Sequence, residues 1–178
     1  ATKLESRGNQ TVEQLGAGRE RARDLAVVSM GHKSNSLLTR LGLRLPIEPM
    51  KGYSFTAPLS NAAPIASITD SKRRIVFTHL GTQMLVAGIA EMGRVNDQVE
   101  PERLASMVEA ARASLPEAAV YSEASPGWAG MRPMTPNSLP ITRLLSPGIA
   151  ANTGHGMLGW TMAMGSAQRL ADAVREAD

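Results

Sequence analysis

Two short apolar segments near opposite ends of the chain constrain its fold more than any other feature. Residues 25–30 and 148–152 are nearly continuous apolar runs, and a glycine adjoins or begins each of them. A short run without polar alternation is typical of a strand covered on both faces, as in a parallel sheet. The residues between the two runs follow a different pattern. The sequence therefore predicts a piece of an α/β domain built from the chain ends and an α+β insertion between them.

The middle of the chain has the pattern of an antiparallel meander. Short strands separated by tight turns are predicted within residues 47–57, 65–68, 74–79 and 84–88. A long helix is predicted from Pro101, a residue that suits the first helical position, to about Leu115. The predicted fold class is α+β: an antiparallel or mixed sheet with a long helix, plus the last strand and helix of an incomplete α/β domain.

Other segments give weaker expectations. Residues 1–23 are polar and predict a loosely structured start, residues 119–128 predict a strand, and residues 130–140, with three prolines, predict irregular backbone. A final helix is predicted over residues 158–175, with alanines every four residues for close packing on a sheet. These alanines are Ala163, Ala167 and Ala171.

Composition excludes several function classes. The chain has no cysteine, so it has no disulfide framework, zinc–thiolate site or cysteine nucleophile. Its three histidines lack metal-ligand spacing, and no metal site is predicted. A net charge of +3 is too small to indicate nucleic-acid binding, and the cluster at residues 72–74 is typical of a solvated turn. No membrane-spanning run or signal-peptide core is found, so a cytoplasmic-type compartment is expected.

The segment with the most chemical potential is residues 152–161, which follows a predicted strand and opens a predicted helix. It contains three glycines within six residues, and glycines permit close approach of a ligand to the backbone. Free N–H groups and the helix dipole favour negative charge at such a helix start. The alternative interpretation is a tight strand–helix turn that needs glycine for local reasons.

Two further segments are candidates for binding an acid substrate. Arg132 lies between glycine and Pro133 in a stiffened segment, where its guanidinium suits bidentate capture of a carboxylate or, alternatively, a structural ion pair. Lys51 and Tyr53 are two residues apart on a predicted strand, so both side chains can point into one cavity. The alternative for this pair is a half-buried sheet position with a solvated lysine.

Together these segments resemble a known family. Pro49-Met50-Lys51-Gly52-Tyr53-Ser54, Gly130-Met131-Arg132-Pro133-Met134-Thr135-Pro136 and residues 152–162 are similar to the FAD-dependent D-amino-acid oxidase and glycine oxidase superfamily. Within it, they resemble the C-terminal part of the small subunit of bacterial D-amino-acid dehydrogenases. The similarity runs from about Asp24 to Val174, and residues 1–23 match poorly.

The resemblance implies a reaction and roles for residues. Members oxidise a D-amino acid to an imino acid, which hydrolyses to a 2-oxo acid, and pass the electrons from FAD to a respiratory acceptor. By this resemblance Arg132, Tyr53 and Lys51 bind substrate, and no acid or base residue is required if the amine enters neutral. Residues 45–130 then form a substrate-binding domain, and residues 24–44 with 131–178 form a partial FAD-binding domain. The implied FAD-contacting residues are Gly154, His155, Gly156, Met157, Leu158, Gly159, Trp160 and Thr161.

One departure from the family shapes the remaining expectations. Members open with a strand–GxGxxG–helix unit that binds the ADP part of FAD, and none is recognised here, since residues 16–19 supply only two of the glycines. The chain is therefore expected to be a fragment that retains FAD weakly, is inactive alone, and forms a homo-oligomer or pairs with a missing N-terminal half. A peripheral position at the inner face of the bacterial inner membrane is also expected. The alternatives are a related glycine- or sarcosine-oxidase-like amine oxidase, or a non-catalytic binding or assembly module.

Overall fold

The chain divides into two compact units, each described here by itself. The computed structural model describes residues 3–7 and 10–177. The terminal unit comprises residues 1–49 and 132–178, and the central unit comprises residues 50–131. The boundaries between the units fall within strands β5 (Glu48–Pro58) and β9 (Trp128–Met134).

The terminal unit contains two three-stranded sheets. One has the order β1-β2-β3 and is antiparallel, and the other has the order β10-β11-β4. Strand β11 pairs with β4 in parallel and with β10 in antiparallel orientation. The two apolar runs are thus both strands, of the parallel type that the sequence predicts, and the structure pairs them with each other. The strands are β1 (Lys3–Arg7), β2 (Gln10–Gln14), β3 (Glu20–Arg23), β4 (Ala26–Val28), β10 (Ile141–Ser146) and β11 (Ile149–Thr153).

Burial in the parallel pair is uneven. Val28, Ile149 and Ala151 are buried in a core that also includes Leu38 and Leu45. Val27, however, is 48% exposed, so the sheet face to which its side chain points is not covered at β4 in the described residues. The prediction that this run is covered on both faces is therefore wrong for β4 and holds for β11, the central strand.

Two helices belong to the terminal unit. Helix α1 (Ser34–Leu38) ends after a short 3₁₀ turn at Gly42, whose φ of 71° reverses the chain. Helix α3 (Gly159–Arg175) buries Ser166 and Leu170. The predicted packing stripe is wrong, since the face carrying Ala163 and Ala167 is exposed. In the part of the chain that the structure describes, no helix is both long and apolar enough to span a membrane.

The central unit is one sheet with a helix packed on it. The strand order is β6-β7-β8-β5-β9, with β6 (Ile68–Asp70), β7 (Ile75–Leu80) and β8 (Gln83–Met92) forming the predicted antiparallel meander. Phe55, Phe77 and Val86 alternate inward with no exposed surface. Helix α2 (Pro101–Ser114) covers this face with Met107 and Ala111, which lie one turn apart.

Three local predictions differ from the structure. Residues 128–134 form strand β9 despite Pro133, because β9 lies at the sheet edge, where a missing backbone donor is tolerated. The strand predicted over residues 119–128 is absent up to Trp128, where β9 begins. A 3₁₀ turn at Tyr121–Glu123 takes its place, and the Tyr121 hydroxyl donates to the Leu115 carbonyl at 2.8 Å. The described part of residues 1–23 forms three paired strands, anchored by the buried side chains of Leu4 and Val12.

Candidate functional site

The carboxyl ends of the two parallel strands lie at one edge of their sheet. The Thr153 hydroxyl, at the end of β11, donates to the Gly31 carbonyl beyond β4 at 3.3 Å and accepts from the Ser34 hydroxyl at 3.2 Å. In open α/β sheets, ligands bind in the crevice outside the carboxyl ends of parallel strands. The glycine-rich segment begins at this edge, so its position in the fold is that of a ligand-binding loop.

Residues 154–158, here called the glycine loop, are held against β9. The Gly156 N–H donates to the Pro133 carbonyl at 3.0 Å. Gly154 has a φ of 78°, and a Cβ placed on it would lie 2.7 Å from the Thr135 methyl carbon. Glycine is thus required at position 154 by backbone conformation and by close packing. The glycine at position 154 therefore agrees with the interpretation of the segment as a tight strand–helix turn. The same contacts also hold the glycine loop beside the segment that carries Arg132.

The start of α3 provides backbone donors. Leu158 precedes the helix and makes no side-chain capping hydrogen bond. The first N–H groups of an α-helix have no acceptor within it, so the N–H groups of residues 159–161 are available to a ligand. Apolar side chains surround these donors: Met157 is 66%, Leu158 58% and Trp160 96% exposed. This combination suits a flat, apolar group that carries negative charge.

His155 is oriented by a residue two turns into α3 from its start. Its Nε2 lies 2.9 Å from the Ser166 hydroxyl oxygen, and Ser166 donates its proton to the Ala163 carbonyl at 3.1 Å. Ser166 therefore accepts, which makes Nε2 the protonated nitrogen of His155. Burial lowers the pKa of His155 and favours the neutral ring.

The pH dependence of stability provides a test of the His155 environment. Burial lowers the pKa of His155 in the folded state, and also that of His32 in the same unit. The unfolded chain therefore protonates these two histidines more readily than the folded chain does. The free energy of unfolding is expected to be constant above the unfolded histidine pKa of about 6.5 and to fall as the pH falls below it. Urea titrations should show that the free energy of unfolding falls less with decreasing pH in His155→Gln than in the parent chain. An equal fall in both proteins would contradict the lowered pKa of His155.

Arg132 lies in β9 directly before Pro133, in the terminal unit. Its side chain is half-buried, and burial lowers the pKa of its guanidinium. An arginine guanidinium is not deprotonated in proteins, so the group stays charged at neutral pH. A half-buried, permanently charged guanidinium next to the residue that anchors the glycine loop is suited to pairing with a carboxylate.

Lys51 and Tyr53 are brought together in the central unit. Lys51 is fully buried, its Nζ lies 5.2 Å from the centre of the Tyr53 ring, and it donates to Asn96 Oδ1 at 2.8 Å. The burial rules out the solvated-lysine alternative. The Tyr53 ring face and the Asn96 amide oxygen stabilise this ammonium. Burying a charge is costly without such partners, so the position of Lys51 indicates a structural or a functional role.

Sequence reasoning did not assign Glu91 a role in this cluster. The Tyr53 hydroxyl donates to Glu91 Oε2 at 3.1 Å, and Arg94 lies 3.5 Å from the other carboxylate oxygen. A bulge between Lys51 and Tyr53 in the pairing of β5 with β8, with a φ of 56° at Ile89, sets this register. Lys51 and Glu91 are direct cross-strand partners of opposite charge. The sequence did not reveal this pair, because Glu91 follows the predicted strand at residues 84–88.

Comparison with known proteins identifies the family. The family model described as "FAD dependent oxidoreductase" matches residues 1–173. The chain belongs to this FAD-dependent oxidoreductase family. A D-amino acid dehydrogenase of Cereibacter sphaeroides is 42% identical over 154 residues, covering 85% of this chain and 35% of the relative. One from Paramagnetospirillum magneticum is 40% identical over 187 residues, covering 96% of this chain and 44% of the relative.

Solved structures agree on the fold. Glycine oxidase from Geobacillus kaustophilus matches with a TM-score of 0.80 at 19% identity, over 98% of this chain and 47% of that one. Iminodiacetate oxidase from Chelativorans sp. matches with a TM-score of 0.83 at 22% identity, over 98% and 48%. The chain thus spans less than half the length of these relatives, sequence and structural alike. The predicted fold class and family are confirmed.

The residues present fit part of an FAD molecule, as the family requires. The glycine loop offers exposed apolar side chains next to the backbone donors of α3. The buried Oδ1 of Asn152, at the end of β11, has no hydrogen-bond donor among the described residues. A buried acceptor without a donor beside an open loop is typical of a site completed by a ligand or by another segment of protein.

The sequence does contain one G-x-G-x-x-G spacing, at residues 154–159 between β11 and α3, beyond the glycine-rich character that marks this loop. In a dinucleotide fingerprint the third glycine permits close packing of helix against strand. Here a Cβ on Gly159 would meet only the His155 Cβ, at an ordinary 3.6 Å. The third glycine therefore lacks the packing role that it has in the ADP-binding unit.

Proposed function

We propose that this chain supplies the substrate-binding part and the flavin-contacting loop of a D-amino acid dehydrogenase. The reaction converts a D-amino acid to an imino acid, which water hydrolyses to a 2-oxo acid and ammonia. The observation that carries the proposal is the hydrogen bond from the Gly156 N–H to the Pro133 carbonyl, because it ties the glycine loop to the strand of Arg132. The identity of 40–42% to relatives named D-amino acid dehydrogenase supports this substrate class.

The glycine loop and the start of α3 would hold the flavin. FAD, when bound, supplies the hydride acceptor for the substrate Cα. The N–H groups of residues 159–161 and the helix dipole favour negative charge on a group placed against them. Gly154 and Gly156 allow close approach of the backbone, and the neutral His155 adds no charge. The proposed cofactor-binding residues are 154–161.

Arg132 is proposed to bind the substrate carboxylate, with Tyr53 and Lys51 in supporting roles. The Tyr53 hydroxyl already donates to Glu91, so its proton is available to a substrate only if that bond is exchanged. Lys51 has its Nζ on Asn96. A guanidinium can bind a carboxylate through two charge-assisted hydrogen bonds, so Arg132 should contribute most to carboxylate binding. No protein base is required if the amine enters unprotonated.

The isolated chain is proposed to retain FAD weakly and to have no turnover. The ADP part of FAD is normally held by a strand–GxGxxG–helix unit, and the third glycine of residues 154–159 lacks the packing role that it has in that unit. Fluorescence titration of the purified chain with FAD should show weak or no binding. A stoichiometric complex that D-alanine reduces would contradict this part of the proposal.

The substrate class is tested by supplying the missing unit. The N-terminal part of the Paramagnetospirillum relative, fused ahead of this chain, should give a protein with stoichiometric FAD. Anaerobic D-alanine is expected to bleach the flavin absorbance, and L-alanine is not. Reduction by sarcosine or glycine in place of D-amino acids would favour the amine-oxidase alternative, and a flavin inert to all of them would favour the binding or assembly module.

The electron acceptor and the assembly are further parts of the proposal. The reduced fusion protein should reoxidise faster with a soluble quinone than with oxygen, in line with a respiratory acceptor and a peripheral site at the inner membrane. The exposed side chain of Met164 (84%), outside the proposed cofactor-binding residues, supports a surface covered in the assembly, by a second copy or by an N-terminal half. Ultracentrifugation that shows a stable monomer of this chain would count against the second copy.

A further inference from the structure

The terminal unit contains a groove beside its last helix. The groove has a volume of about 600 Å³ and runs between β10, with the turn that precedes it, and one face of α3 over residues 162–169. This volume is in the range of small-molecule sites. Its walls combine the apolar side chains of Ile141 and Met162 with the cationic side chains of Arg143 and Arg169.

The charge in this groove is one-sided. None of the residues that line it is acidic. Among the described residues, neither Arg143 nor Arg169 has a carboxylate partner. Asp172, which is three residues after Arg169, instead accepts from Gln168 at 2.8 Å and from Arg175 at 3.1 Å. Two guanidinium groups with no local counter-charge attract an anion.

The helix side of the groove is kept open by a glycine. Gly165 lies on the lining, and a Cβ placed on it would meet no atom within 4 Å. Glycine inside a helix costs stability relative to alanine, and no close contact explains it here. The groove therefore combines open space beside Gly165 with one cationic side chain from each wall, Arg143 from β10 and Arg169 from α3.

We propose that the groove between β10 and α3 binds a small organic anion, with its carboxylate or phosphate between Arg143 and Arg169 and its apolar body against Ile141 and Met162. Ser166 also lines the groove and accepts the hydrogen bond from His155. Occupancy is therefore connected to the glycine loop through one hydrogen bond. The site goes beyond the proposed oxidation of D-amino acids and does not depend on it.

Calorimetry and NMR of the 178-residue chain test the proposal with octanoate, octyl phosphate and neutral octanamide as probes. At least one anionic probe is expected to bind with a Kd on the order of 1 mM, as for a ligand of this size, and to shift the His155 ring resonances. Octanamide should bind at least about fivefold more weakly. Arg143→Gln and Arg169→Gln should each weaken anion binding by about three- to fivefold, as for partly exposed ion pairs. Preference between octanoate and octyl phosphate identifies the anion.

Matched variants separate this site from general charge effects. Arg112→Gln removes the same charge from an exposed position on α2 and should leave anion binding unchanged. Gly165→Leu should abolish binding by filling the groove, while Gly165→Ala should retain it, with urea titrations confirming that both fold. The proposal is overturned if neither anionic probe binds, if octanamide binds as well as the anions, or if Arg112→Gln weakens binding as much as the groove variants.

Discussion

Replacement of Arg132 by alanine in the FAD-loaded fusion protein is expected to lower kcat/KM for a D-amino acid by about 10- to 100-fold. A bidentate, charge-assisted pair between guanidinium and carboxylate contributes roughly 1.5–3 kcal/mol, and each 1.4 kcal/mol is a factor of ten. Because the carboxylate is bound before and during the reaction, most of the change should be in KM. Steady-state kinetics with a quinone acceptor measures both constants.

Three comparisons make the Arg132 result specific. Arg132→Lys should recover only part of the loss, since an ammonium cannot reproduce the planar two-point geometry. Tyr53→Phe should have a smaller effect than Arg132→Ala, because the Tyr53 hydroxyl is already bonded to Glu91. Arg112→Ala, on the exposed face of α2, serves as the control for lost positive charge and should leave kcat/KM unchanged. An Arg132→Ala protein with unaltered kcat/KM would remove the carboxylate assignment.

The second large effect is expected at Gly154. Gly154→Ala should lower the free energy of unfolding by about 2–4 kcal/mol, for two reasons. A left-handed backbone costs a non-glycine residue about 1–2 kcal/mol. Steric overlap in a packed site adds to this cost. The overlap is with the Thr135 methyl carbon, 2.7 Å from the added Cβ. Urea or thermal unfolding of the purified chain measures the change and needs no cofactor.

A double-mutant cycle separates the two causes at Gly154. Thr135→Ser deletes the methyl group that the added Cβ would meet, so the double variant should be less destabilised than the sum of the single variants by about 1 kcal/mol. Gly165→Ala is the matched control, because its Cβ meets open space in a helix and should be neutral or stabilising. Equal stability of Gly154→Ala and the parent chain would show that the loop does not require glycine.

Local chemistry made several elements predictable. Pro101 marks the start of α2 and Gly42 ends the turn after α1, because each residue restricts or permits backbone conformations by itself. Strand β9 was missed because proline is unfavourable in a strand unless the strand lies at an edge, and edge position is not a local property. The packed face of α3 lies one residue position before the predicted alanine stripe, for a similar reason. Ser166 lies on this face, and its hydroxyl is hydrogen-bonded there by His155 and the Ala163 carbonyl.

The sequence alone determined that two distant apolar runs are strands of a parallel type, that a glycine loop follows one of them, and the family to which these segments belong. These follow from side-chain hydrophobicity and backbone freedom, which each residue carries with it. Only the tertiary structure decided that Lys51 is buried on Asn96, that Tyr53 donates to Glu91, and that Arg143 and Arg169 share a groove without an acid. Such contacts depend on strand register and on a bulge in β5 and β8, where a shift of one residue turns a side chain to the opposite face.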